Sequence, residues 1–107
     1  MRSELMRGHL DGLLLAALAG GPGHGYEISQ RLQLASAGAI APTEGSLYPA
    51  LHRLERTRLV TSEWSVIEGR RRRVYALTQA GRRASQDARR EWAAFSTAVE
   101  RVMELAA

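Results

Sequence analysis

Residues 42–60 read PTEGSLYPALHRLERTRLV. Leu47, Ala50, Leu51 and Leu54 fall at i, i+3, i+4 and i+7, so on a helix they form one apolar stripe that has to pack against the rest of the chain. The opposite face carries Gly45, Pro49, His52, Arg53 and Arg56, with Ser46 and Tyr48 on its flanks. Small, aromatic and cationic groups without a large aliphatic one suit a helix laid in a DNA groove. Arginine forks onto a guanine edge or a phosphate, Ser and His donate to phosphate or base, and Gly45 lets the backbone come close. A solvated outer face has the same general character, so the helix needs support from its surroundings. Pro49 leaves two readings open. With Thr43 as N-cap the proline lies one turn in and bends the helix; with Ser46 as N-cap it sits harmlessly in the first turn. Both place Tyr48 and Pro49 near a helix N-terminus, whose unpaired N–H groups attract phosphate.

Upstream, residues 7–19 place Leu10, Leu13, Leu14, Ala17 and Leu18 at helical spacing, and Gly20-Gly21-Pro22-Gly23 ends that helix. His9 and Asp11 on it read as solvated residues. His24-Gly25-Tyr26-Glu27-Ile28 opens a second helix running to about Leu34 or Ala35, with Tyr26, Ile28 and Leu32 as its apolar contacts. Ala39 and Ile40 suggest a brief strand before Pro42. Three short helices with tight breaks make a helix-turn-helix, with the third as the reading element.

Downstream the period changes to two. Val60, Trp64 and Val66 share a face, Glu68-Gly69 supplies a turn, and Val74 to Leu77 returns as a second strand. Arg70, Arg71, Arg72 and Arg73 stand at the tip of this hairpin with no acid nearer than Glu68. A charged edge blocks strand-to-strand aggregation, but four arginines exceed that need and point to phosphate or minor-groove contact. Thr78 then caps a helix from about Gln79 to Leu105, about 40 Å long. Along it Ala88, Trp92, Phe95, Val99, Val102 and Ala106 recur at alternating steps of four and three, the spacing of a coiled-coil seam. One small domain cannot bury so long a seam. A homodimer is expected, its interface formed by Ala88, Trp92, Phe95, Val99 and Val102 together with Leu10 and Leu14 of the first helix.

The expected architecture is mainly α with a small β-hairpin: a winged helix-turn-helix over residues 1–78 and a C-terminal dimerisation helix over 79–107. The 107 residues have room for a single core. From Thr43 to Arg83 nine arginines stand against four glutamates, whereas the remainder has six against seven acids, so positive potential is concentrated beside the reading helix and hairpin. The chain has no cysteine, which removes disulfides and thiolate metal sites and fits a reducing, cytoplasmic location. No apolar leader stands at the N-terminus, and the greasy run Leu13 to Ala19 is too short to span a bilayer. Without Gly-rich phosphate loop, HExxH, GxSxG or acid–base pair, an enzyme is not expected, and no cofactor is required. Two rival readings follow from particular residues. His24 and Glu27 could meet on the second helix as weak ligands in a metal-responsive regulator, and the arginine hairpin could grip an acidic protein instead of DNA.

Three segments carry a resemblance to the PadR family of winged-helix regulators: His24-Gly25-Tyr26-Glu27-Ile28, Gly45-Ser46-Leu47-Tyr48-Pro49-Ala50-Leu51-His52-Arg53-Leu54-Glu55, and Arg73-Val74-Tyr75-Ala76-Leu77-Thr78-Gln79-Ala80-Gly81. The short C-terminal part resembles the compact subgroup with one long dimerisation helix. The resemblance implies a dimeric transcriptional regulator, most often a repressor that leaves an inverted-repeat operator on double-stranded DNA when an effector binds. It implies DNA contacts from Thr43, Ser46, Tyr48, Pro49, His52 and Arg53 in the major groove, and from Arg70 to Arg73 on the wing. It further implies a small planar aromatic effector held between the two long helices, where Trp92 and Phe95 match in kind and position. The family pattern usually has a glycine where this chain has Arg58, which predicts a different cap at the end of the third helix.

Overall fold

The computed structural model describes residues 8–106. The expected helix start at residue 7 and the final residue of the C-terminal unit lie outside that range. Among the described residues, four α-helices and a three-stranded sheet follow in the order α1 (Leu10–Ala19), β1 (Gly23–His24), α2 (Gly25–Ala35), α3 (Glu44–Arg56), β2 (Val60–Ile67), β3 (Arg70–Leu77) and α4 (Gln79–Met103), with a closing 3₁₀ turn at Glu104–Ala106. The sheet is antiparallel in the order β1-β3-β2.

The apolar stripe of α3 is buried as its spacing requires. Leu47, Ala50, Leu51 and Leu54 enter one core with Leu10, Leu14, Leu15 and Leu18 of α1, Ile28 and Leu32 of α2, and Val60, Tyr75 and Leu77 of the hairpin. Each fully covered leucine contributes about 1.5–3 kcal/mol relative to exposure. Burial raises the pKa of the Tyr75 phenol above its ordinary value, an effect that neighbouring Arg73 partly offsets. Leu10 and Leu14, expected at a subunit interface, are therefore covered within the chain itself. The reason is the course of α1, which lies between α3 and α4 and meets both. Ala88, from the top of the expected seam, likewise faces α1: a β-carbon on Gly12 would stand 3.5 Å from that of Ala88.

The expected strand at Ala39–Ile40 does not form. The hydroxyl of Ser36 accepts from the Ile40 N–H at 2.9 Å and so diverts that segment from any ladder. The third strand comes instead from Gly23–His24, which pairs with Tyr75 and Val74. Arg31 supports this path by donating to the carbonyls of Ala17, Gly21 and Pro22, which closes the C-terminal end of α1.

The ends of α3 and α4 explain three sequence features. Thr43, not Ser46, is the N-cap of α3, its hydroxyl accepting from the Ser46 N–H at 3.2 Å, so Pro49 lies inside the helix. Its missing N–H leaves the Gly45 carbonyl without a helical partner, but Gly45 is exposed and water can replace it. At the other end the N–H of Leu59 bonds to the Leu54 carbonyl and that of Arg58 to Glu55, the paired bonds of a Schellman cap. Arg58 occupies its left-handed position at φ 62°, so the cap is the one a glycine would make, formed by a residue that is strained there. Thr78 caps α4 through the Gly81 N–H, and Gly81 is required because a β-carbon there would collide with the Leu59 carbonyl.

The far half of α4 projects from the core and gives the molecule extents of 55 × 27 × 20 Å. No helix among the described residues is long and apolar enough to cross a membrane.

Candidate nucleic-acid interface

The surface of α3 opposite its buried stripe presents Tyr48, Pro49, His52, Arg53 and Arg56, all exposed, with Ser46 half-covered at the edge. Each of these is held differently. Thr43 and Ser46 are joined through their hydroxyls at 3.1 Å as part of the cap, which fixes both oxygens at the helix N-terminus. Tyr48 packs its ring on the backbone of Gly25 in α2, so only part of it faces outward. His52 and Arg56 project into solvent. Arg53 does not stand free: its Nη2 donates to Asp11 Oδ1 of α1 at 3.0 Å. Asp11 is thus an ion-pair partner of the reading face rather than a solvated residue. His9, two positions earlier, packs edge-on against Trp92 with ring centroids 5.3 Å apart.

The wing differs from its expected form in one important respect. β3 begins at Arg70, so the four arginines form the outer half of the ladder and pair with Ile67, Val66, Ser65 and Trp64 in turn. The turn at Glu68 and Gly69 has positive φ at both residues, the geometry that joins two strands with the normal right-handed twist. Arg71 and Arg73 share a face with Trp64, and their guanidinium groups lie 4.6 and 5.2 Å from the indole centroid. Arg73 is also tied inward: its Nε donates to Ser62 Oγ at 2.8 Å, Ser62 donates to Glu55, and the Arg73 guanidinium stands 3.8 Å from Glu55 Oε2. The tip therefore has a paired arginine at its base and an aromatic platform above it. Among the described residues Arg70, Arg71 and Arg72 are in no ion pair.

Trp64 shares a strand face with Val60 as the spacing requires, but the hairpin runs out beyond the core, so Val60 is buried and Trp64 is 57 % exposed. Its placement against the arginines goes beyond face periodicity, although the turn carries the signal for it. A two-residue turn at 68–69 pairs positions whose numbers sum to 137, and 64 then falls opposite 73.

The weak metal candidates have another role. His24 is the N-cap of α2, its ring nitrogen accepting from the Glu27 N–H, while the His24 N–H donates to Glu27 Oε1 at 3.1 Å. This reciprocal pair is a capping box with histidine in the usual place of Ser or Thr. Among the described residues no cluster of three or more His, Cys, Asp or Glu is placed to hold a metal ion.

On α4, Trp92 and Phe95 touch each other at 5.9 Å between centroids and are 54 % and 55 % exposed. With Val102 and Met103 they leave an apolar face uncovered on the projecting half of the helix. A cavity of about 500 Å³ lies elsewhere, between the C-terminal end of α1 and the first turns of α4, and neither aromatic lines it.

Residues 14–87 match the transcriptional regulator PadR-like family. A transcriptional regulator of Mycobacterium tuberculosis, Rv3488, is 46 % identical over 67 residues, covering 63 % of this chain and 60 % of that protein. Among solved structures, a transcriptional regulator from Clostridium thermocellum superposes with a TM-score of 0.83 at 28 % identity, covering 92 % of this chain and 97 % of its own. A PadR family regulator from Eggerthella lenta gives 0.78 at 33 % identity, with 94 % and 87 % coverage. These relatives are regulators of transcription and not enzymes, and the matched region contains the capping box of α2, all of α3, the wing and the start of α4. The chain belongs to the PadR-like family of transcriptional regulators.

Proposed function

We propose that this regulator is a homodimeric repressor that holds an inverted-repeat operator through α3 and the wing and releases it when a small planar aromatic effector binds. The observation that carries the reading is the pairing of an outward, largely aliphatic-free face on α3 with a wing whose Arg70, Arg71 and Arg72 have no acidic partner among the described residues. Such a pair supplies both parts of DNA recognition, base edges for α3 and phosphates for the wing. In this reading residues 1–78 bind DNA and residues 79–107 dimerise in the cytoplasm. The interface consists of Trp92, Phe95, Val99 and Val102, since Leu10, Leu14 and most of Ala88 are occupied within the chain. Half-sites about 34 Å apart match the two-fold symmetry of such a dimer. The aromatic effector sits where Trp92 and Phe95 of the two subunits face one another.

The test is a fluorescence titration with DNA from immediately upstream of the gene, at two salt concentrations, against a shuffled control. Binding that resists competitor DNA and weakens steeply with salt supports the reading. Equal binding to operator and shuffled DNA would reduce the protein to a non-specific DNA binder, and no binding to either would direct attention to an acidic protein partner of the wing.

A further inference from the structure

The cavity between α1 and α4 belongs to none of the roles above. Its floor is apolar, formed by Leu18 and Leu77 at the edge of the core with Pro22 beside them, and one wall is the N-terminal part of α4 from Arg82 to Arg90. On that wall Arg82, Ser85, Gln86 and Arg89 fall at i, i+3, i+4 and i+7, so they form a single polar stripe along the opening. The two arginines are about 10 Å apart along the axis, so one ligand can reach both.

Their charge is not spent inside the protein. Among the described residues neither Arg82 nor Arg89 is in an ion pair, and Asp87, the acid between them in sequence, is taken by Arg90 at 3.2 Å. The negative end of α1 borders the same cavity, yet Arg31 and the Gly20 and Gly21 N–H groups already occupy the carbonyls of Ala17, Leu18, Gly21 and Pro22. What the opening offers a visitor is an apolar floor, two uncommitted guanidinium groups and the hydroxyl and amide between them.

We infer that this groove is a binding site for a small amphipathic organic anion, with its apolar body on Leu18 and Leu77 and its carboxylate, sulfonate or phosphate between Arg82 and Arg89. A cavity of about 500 Å³ has the size of a small-molecule site, and a lining with an apolar floor and a polar wall suits a ligand that has both an apolar body and a charged end. Arginine is suited to the anionic end because its planar fork bonds two oxygens at once. Such a ligand touches both α1 and α4, so it would join the DNA-binding core to the projecting helix. The site is separate from Trp92 and Phe95, and the inference does not depend on what α3 reads.

The probe is 1-anilinonaphthalene-8-sulfonate, whose emission rises on an apolar surface, titrated in parallel with the uncharged N-phenyl-1-naphthylamine of the same ring system. Arg82→Gln combined with Arg89→Gln is expected to weaken the sulfonate at least about tenfold, equivalent to about 1.4 kcal/mol, while leaving the uncharged dye unchanged. Both arginines are exposed, so the variant keeps its core. Arg70→Gln with Arg72→Gln removes the same charge at the wing and is expected to leave sulfonate affinity as in wild type. Equal sulfonate affinity in wild type and the Arg82/Arg89 variant overturns the site. So does an equal loss in the wing variant, which would mean general charge attraction.

Discussion

The hydroxyl of Tyr48 in α3 lies over Gly25 at the start of α2, where a β-carbon would come within 2.5 Å of its oxygen and 2.8 Å of the ring. Two of the segments that mark the family therefore meet at one point. The glycine after His24 lets the tyrosine before Pro49 lie flat on the backbone, and that packing sets how α2 braces the reading helix. Gly25→Ala should destabilise the protein by about 1–3 kcal/mol in urea unfolding, as overpacking does. Tyr48→Ala in the same chain should recover most of that loss; additive losses would show that the two residues are not coupled.

Arg58 offers the opposite change. It holds a left-handed conformation that favours glycine, while its carbonyl accepts from the Thr78 hydroxyl at 2.7 Å through an atom any residue has. Arg58→Gly removes strain of about 1–2 kcal/mol and adds some unfolded-state entropy, leaving a gain of about 0.5–1 kcal/mol. A higher midpoint in chemical denaturation with an unchanged slope is the expected result.

On the wing, Arg70→Ala with Arg72→Ala should weaken operator and random DNA alike. The plot of log affinity against log salt should flatten by about two units, one for each phosphate that is no longer neutralised. Arg73→Ala should in addition lower stability, because it strands Ser62 and Glu55 from their cation. An unchanged slope in the double variant would remove the wing from the DNA.

Asp11→Asn separates the two uses of Arg53. The ion pair is half-exposed on both sides, so its loss should cost less than about 1 kcal/mol of stability. The released guanidinium, with one acidic neighbour fewer, should bind DNA more tightly and steepen the salt slope by about one unit. His52→Ala should act differently, lowering discrimination between operator and shuffled DNA more than overall affinity.

Val99→Glu tests the assembly. A charge in a subunit seam is desolvated and unpaired, so sedimentation should report monomers. A persistent dimer would move the interface away from Trp92, Phe95 and Val102.

The sequence by itself determined much of what depends on neighbours a few positions apart, though not the Ser36 bond that displaces the expected strand at Ala39–Ile40. The stripe of α3, the apolar face of α4, the Thr78 cap and the hairpin about Glu68-Gly69 all follow from local spacing and local backbone chemistry, whereas the choice of Thr43 over Ser46 as the cap of α3 needed the structure. The same local rules supported the resemblance to the family. The tertiary structure alone decided which partner each face meets. Asp11 reaches Arg53 across 42 positions, Arg73 finds Glu55 and Ser62, and α1 rather than a second subunit covers Leu10 and Leu14. It also opened a groove between α1 and α4 that no stretch of sequence announces, while the His24–Glu27 cap is local but uses histidine where the usual rule looks for Ser or Thr. The physical reason is that periodicity says which side of an element is buried or charged. The angle at which two elements cross, set by packing of the whole core, says which side chains come within a few ångströms of each other.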